Sequence, residues 1–152
     1  MATLFLICGL PGSGKTTLAK QLERTHSALR LCPDEWISAI LADVSDTIEM
    51  DHLRTPVETV QWKVAKRALT LGINVILENG FWSREERDSY RAQAETLGAH
   101  VKLIYLEVER DELWVRLSKR NQNLPQGSFA VREDQLDLWL GWFQPPTTDE
   151  FD

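Results

Sequence analysis

Apolar and polar positions fall into two kinds of block along this chain. Short, nearly continuous apolar runs alternate with longer stretches in which apolar residues recur at helical spacing. Thr3–Cys8 reads as a buried strand, followed by a helix from Lys15 to about Thr25. Leu29–Cys32 reads as a second strand and Asp34–Leu41 as a helix. The stretch Asp43–Arg54 is polar and poorly periodic. Thr55 then opens a long helix on three start signals: Thr55 as N-cap, Pro56 at the first helical position and Glu58 completing a capping box. Val57, Val60, Val64, Ala68 and Leu71 give that helix one apolar face, and Gly72 closes it. Ile73–Glu78 is a third strand, and Ser83 with Glu86 forms a capping box for a helix ending at Gly98. His100–Val108 is a fourth strand. A helix over Asp111–Arg120, a polar loop over Gln122–Phe129, a helix over Arg132–Trp142 and an extended tail complete the chain. Strands separated by helices of this length require crossover connections. They predict an α/β fold: one domain spanning 1–152, with a parallel sheet of four to five strands and helices on both faces.

Composition narrows the class. The 152 residues are 43% hydrophobic and 26% charged, ordinary for a soluble globular domain with its own core. The net charge is −6, with 17 basic against 23 acidic residues, which counts against a nucleic-acid partner. The two cysteines, Cys8 and Cys32, lie in no metal-binding spacing and read as small buried thiols, in keeping with a reducing cytoplasm. No apolar run reaches transmembrane length, so no membrane partner is expected. A monomer or homodimer is the expected state.

The chemistry begins between the first strand and the first helix. "GLPGSGKT", Gly9–Thr16, matches G-x-x-x-x-G-K-[ST] in the strand–loop–helix setting that the motif requires. Glycines let successive backbone N–H groups turn inward, and the helix N-terminus adds its dipole, so the loop is an anion cradle. Gly9, Pro11, Gly12, Ser13, Gly14, Lys15, Thr16 and Thr17 are the expected nucleotide-binding residues. Lys15 supplies a point charge for the β- and γ-phosphates, and Thr16 a hydroxyl for Mg²⁺. The fold class is therefore that of the P-loop NTPases, with ATP and Mg²⁺ as the expected cofactors.

Three features separate a kinase from other users of that loop. No N-K-x-D base-reading motif is present, which argues against a GTPase. "CPDEW" places Asp34 and Glu35 after the second strand, at the carboxyl edge where ligands bind in open parallel sheets. Asp34 there can orient a substrate hydroxyl and accept its proton, or simply cap the next helix. "DELWVRLSKRN" carries Arg116 and Arg120 one helical turn apart, a repulsive pair unless an anion offsets it. Their guanidinium forks suit a polyphosphate. Either arginine can equally belong to a solvated basic face.

Together "CGLPGSGKTTLA", "CPDEW", "NVILENGFWSREER" and "ERDELWVRLSKRN" resemble the small P-loop kinases, which include the phage-type polynucleotide kinase domain, the chloramphenicol phosphotransferases and the zeta toxins. The resemblance runs from Leu4 to about Trp142, and only the phosphate loop is highly specific. It implies Asp34 as catalytic base and Arg116 and Arg120 as arginines of a lid over about 111–130. The family often has an aspartate near the end of the third strand. Here Glu78-Asn79-Gly80 stands there, with Glu78 either metal-linked or bonded to the cradle. Phe81 and Trp82, joined by Trp36 and Trp62, are candidates for a wall of the substrate site, with core packing as the alternative. Arg84 and Arg87 open the next helix and read as surface residues, with contact to a phosphate or an acidic substrate as the alternative. The expected activity is γ-phosphoryl transfer from ATP to a hydroxyl of a small molecule. A polynucleotide 5′-hydroxyl kinase and a non-catalytic ATP-binding regulator remain alternatives. Glu35, Asp43, Asp46, Glu49 and Asp51 tilt the expected acceptor toward an amine-bearing molecule.

Overall fold

A computed structural model describes residues 1–41, 47–125 and 128–151. The elements run β1 (Thr3–Cys8), α1 (Lys15–His26), β2 (Leu29–Leu31), α2 (Pro33–Ile40), α3 (Thr47–Thr70), β3 (Val75–Gly80), α4 (Arg84–Thr96), β4 (His100–Tyr105), α5 (Arg110–Gln122) and α6 (Glu133–Trp142). A 3-10 turn over Thr148–Glu150 ends the described chain, in part of the tail expected to be extended. Four strands form one sheet in the order β2-β3-β1-β4, every pair parallel, with Leu4 opposite Val75 on one side and Val101 on the other.

β1 is central and apolar on both faces, and its alternation divides the core in two. Leu4, Leu6 and Cys8 pack with Trp62, Ala65, Ala68, Leu69 and Ala94, which belong to α3 and α4. Phe5 and Ile7 pack with Ala19 and Ile76, under Leu18 and Leu22 of α1. Helices therefore cover both faces, as a parallel sheet requires. A third cluster joins Leu10 in the loop after β1 to Leu113 and Leu117 of α5 and Leu136 of α6. Among the described residues, no helix is long and apolar enough to cross a membrane.

Helix α3 departs from the sequence reading twice. It begins at Thr47, so Pro56 lies inside it and Thr55 is no cap. An interior proline removes one helical hydrogen bond. The turn before it nevertheless has a reason to form, since Met50 and Leu53 pack against a cluster of Ile37, Val57 and Phe129. The buried face is also rotated. Val57, Gln61, Trp62, Ala65, Ala68 and Leu69 face inward, while Val60, Val64 and Leu71 are exposed. The small residues Ala65 and Ala68 allow the helix close to the sheet. Helix α4 shows half of its expected capping box: the Ser83 hydroxyl accepts from the Glu86 N–H at 3.1 Å. Cys8 and Cys32 are buried free thiols, pushed up to about 11 and about 12 chiefly by burial, and hence inert.

Candidate active site

The loop after β1 closes on itself as its glycines demand. Gly14 takes φ of 99° as the left-handed N-cap of α1, and Gly12 takes φ of 86°. A Cβ on Gly12 would lie 3.0 Å from Leu117 Cγ, so α5 packs directly on the loop. Lys15 folds back, its Nζ donating to the carbonyls of Gly9 at 3.2 Å and Leu10 at 3.0 Å. Desolvation pulls the Lys15 ammonium down to about 8, with Asp34 and Glu78 opposing the fall and Arg120 adding to it.

Thr16 Oγ1 donates to Glu78 Oε1 at 2.8 Å, which links the start of α1 to the carboxyl end of β3. Arg30 of β2 holds the other Glu78 oxygen at 2.6 Å and forks onto both oxygens of Glu35 at 2.8 Å. Burial opposes the Arg30 charge, but the two carboxylates outweigh it and hold the guanidinium firmly protonated. Glu35 is thereby neutralised and is not the free acidic group that the sequence reading used.

These residues open onto one cavity of about 450 Å³. Pro11, Gly12, Gly14, Lys15, Thr16 and Thr17 line it from the loop side, and Asp34, Glu35, Arg54 and Glu78 from the carboxyl edge of the sheet. Arg116 and Arg120 line it from α5, and Phe129, Val131 and Trp139 from beyond. Asp34 sits at the second position of α2, where Cys32 is the N-cap, and its carboxylate ion-pairs with Arg54 at 3.0 Å. Arg116 is tied to Glu112 at 3.0 Å and reaches the Gly12 carbonyl at 3.4 Å. Arg120 donates to the Phe129 carbonyl at 3.3 Å while its buried Nε has no partner, and desolvation lowers the guanidinium against the pull of Asp34.

Gly9 and Ser13 do not line the cavity. Gly9 offers its carbonyl to Lys15, and Ser13 is buried beneath the loop. The expected aromatic wall is not there either. Phe81 is 0% exposed, because its φ of 52° turns the ring into the core against Tyr90. Trp82 lies behind the loop, its Nε1 donating to Gly9 O at 3.3 Å and its ring against Trp139. Trp36 packs between two core clusters, and Trp62 is buried. Arg87, expected at the surface, is buried against Glu150. Asp43, Asp46 and Gly127 fall outside the described residues. Sequence reasoning missed Arg30 and Arg54. A charge inside the short run "LRL" was the available signal for the first, since lone charges are rarely buried without a partner.

The chain matches the AAA domain family over residues 4–146 and belongs to it. No match is found among curated proteins. Solved structures share its fold at low identity. A candidate kinase from Chloroflexus aurantiacus J-10-fl is 18% identical, with a TM-score of 0.71 over 90% of this chain and 77% of that one. A sugar kinase from Janibacter sp. HTCC2649 is 19% identical, with a TM-score of 0.68 over 99% and 83%. Chaetomium thermophilum Kti12, solved with ADP-AlF3, is 17% identical, with a TM-score of 0.65 over 95% and 81%. The fold is that of the P-loop kinases.

Proposed function

We propose that the protein is an ATP-dependent phosphotransferase acting on a hydroxyl of a small molecule. The observation that carries this reading is the convergence of Lys15, Thr16, Asp34, Arg116 and Arg120 on one cavity from three separate helices. ATP lies along the loop, with its phosphates taking the Lys15 ammonium from the Gly9 and Leu10 carbonyls. Asp34 leaves Arg54, orients the acceptor hydroxyl and takes its proton. The bond from the acceptor oxygen to the γ-phosphorus forms as the bond to the β–γ bridging oxygen breaks, and ADP departs with the electron pair. Arg116 and Arg120 neutralise the phosphoryl oxygens, with α5 and the loop after it acting as a lid. Positioning and charge supply most of the rate in such a transfer.

Thr16 and Glu78 present hard oxygens 2.8 Å apart beside the loop, a donor pair that suits Mg²⁺. They are the residues that would hold the ion, which supplies charge neutralisation on the β- and γ-phosphates when bound.

The test is transfer from γ-labelled ATP to a panel of small alcohols, sugars and nucleosides, with 5′-hydroxyl oligonucleotides alongside. Transfer to a small alcohol and none to the oligonucleotides is expected. Lys15→Ala abolishes transfer in a folded protein. Asp34→Asn lowers kcat by about 10²–10⁴-fold with ATP binding retained. Wild-type kcat in Asp34→Asn would refute the assignment of the base.

A further inference from the structure

Two carboxylates stand together at the carboxyl edge of the sheet with no role in the chemistry above. Glu58 lies one turn before Trp62 on α3, and Glu86 one turn before Tyr90 on α4. The Trp62 and Tyr90 rings are in contact, with centroids 4.6 Å apart. Both helices run antiparallel to the same parallel strands, so both point their N-terminal ends toward the ligand edge. The contact between the rings therefore sets Glu58 and Glu86 side by side, one turn nearer that edge. Asn79 at the end of β3 closes the niche from below, its Nδ2 donating to the Tyr90 hydroxyl at 3.4 Å.

Glu58, Gln61, Asn79 and Glu86 lie outside the lining of the cavity, and Arg54, which does line it, is the link between niche and cavity. Arg54, one turn before Glu58, is the residue that ion-pairs with Asp34 at 3.0 Å. The charges of the niche do not balance. Arg54 already serves Asp34, and Arg87, the neighbour of Glu86, is committed to Glu150 at 2.6 Å. Burial first, and then Glu86, push Glu58 up to about 7 against the pull of Arg54, and burial likewise raises Glu86. An independent sign of a missing partner lies one turn further along α3. Gln61 is 1% exposed, and both of its amide atoms lack a hydrogen-bond partner, as does the Asn79 carbonyl oxygen. Buried amides left unpaired are costly unless something supplies the bond.

We infer that Glu58 and Glu86 form the cation-recognising end of the acceptor site, and that the acceptor is an amine-bearing alcohol of the amino-sugar or aminocyclitol class. Its ammonium sits between the two carboxylates, amide groups of Gln61 and Asn79 serve its polar substituents, and a hydroxyl reaches Asp34. This rests on the phosphotransferase reading for the fate of that hydroxyl, while recognition of the amine does not.

The experiment is titration calorimetry on the whole protein with a non-hydrolysable ATP analogue present. Glucosamine is compared with glucose, and 2-deoxystreptamine with myo-inositol. The expected result is that at least one amine binds ten or more times tighter than its neutral counterpart. The double variant Glu58→Gln/Glu86→Gln is expected to erase that preference. Gln is isosteric with Glu and relieves a like-charge pair, and circular dichroism checks the fold. Equal binding of amines and neutral partners in the wild type, which needs no variant, overturns the inference. So does a preference that survives the double substitution. Amine binding without transfer of label from ATP supports the niche and sinks the phosphotransferase reading. Transfer to neutral alcohols in preference to amines keeps that reading and overturns the niche.

Discussion

Two arginines in this molecule, one buried and one half-buried on the cavity wall, sit in opposite electrostatic circumstances. Arg87 is 2% exposed, and its Nε meets Glu150 at 2.6 Å while a terminal nitrogen donates to the Phe81 carbonyl at 2.8 Å. Its neighbours extend the same seam, with Arg84 on Asp149 at 2.6 Å and Arg91 on the Glu150 carbonyl at 2.7 Å. Arg120 has one long bond to a carbonyl at 3.3 Å and a buried Nε with none. Arg87 is a charge whose partners are all inside the protein, and it pins the tail to α4 and to the end of β3. Arg120 is a charge short of a partner, on a cavity wall. Burying a charge is costly unless it is paired. The first site is therefore a structural staple. The second is a charge that an anion in the cavity would satisfy.

Exchanging the two roles by substitution is the largest expected effect. Arg120→Ala is expected to lower kcat by about 10³-fold or more, the range of an arginine acting on a phosphoryl transition state. Its melting temperature without nucleotide stays level or rises, since a half-buried guanidinium with an unpaired buried nitrogen is removed. Arg87→Met is expected to do the reverse. Loss of one partner from a buried pair costs about 3–5 kcal/mol, read from urea midpoints, while ATP affinity in the surviving folded fraction is retained. The pair also has a pH signature. Burial opposes the Glu150 charge, but Arg87 outweighs it and holds the carboxyl below the usual glutamate range. A depressed carboxyl contributes stability above its unfolded pKa and loses it as pH falls through the folded one. The wild type is expected to lose stability in acid more steeply than Arg87→Met. Equal melting temperatures for Arg87→Met and wild type would break the comparison.

The phosphate loop was legible because its information is contiguous: strand, glycines, lysine and helix follow one another in thirteen or so residues, as the motif requires. Arg116 and Arg120 were read as a pair because one turn of helix puts them on one side, and both line the cavity. What was lost depends on distant partners or on one backbone angle. Arg30 finds Glu78 across 48 residues, and Arg87 finds Glu150 across 63. No local pattern announces either pair. Phe81 and Trp82 look like an exposed aromatic pair at a strand end. The positive φ of Phe81 sends that ring into the core, and Trp82 goes to the far side of the loop. In α3 the start signals at Thr55 are not used, and Met50 and Leu53 of the turns before Pro56 pack with Ile37 instead. The face of α3 was misjudged because valines suggest core, while alanines were what fitted against the sheet.

Lys15 offers the finest test of the same contrast, because a lysine short of counter-charge can shed its proton and an arginine cannot. Desolvation holds its ammonium down to about 8 despite Asp34 and Glu78. A triphosphate on the loop adds negative charge beside it and raises that value. Nucleotide binding near pH 8 is therefore expected to take up a proton, and affinity is expected to fall as pH rises through about 8, by at most tenfold per pH unit for one proton. A terminal phosphate finishes its own ionisation near pH 6 to 7, so the slope above about pH 7.5 belongs to the protein. Calorimetry in buffers of different ionisation heat reads the uptake directly: close to none at about pH 7, and approaching one proton at about pH 9. Lys15→Met is expected to bind more weakly and without the slope. An affinity flat from about pH 7.5 to 9 in the wild type, or a slope that survives in Lys15→Met, would show that the Lys15 charge is already satisfied by the loop carbonyls.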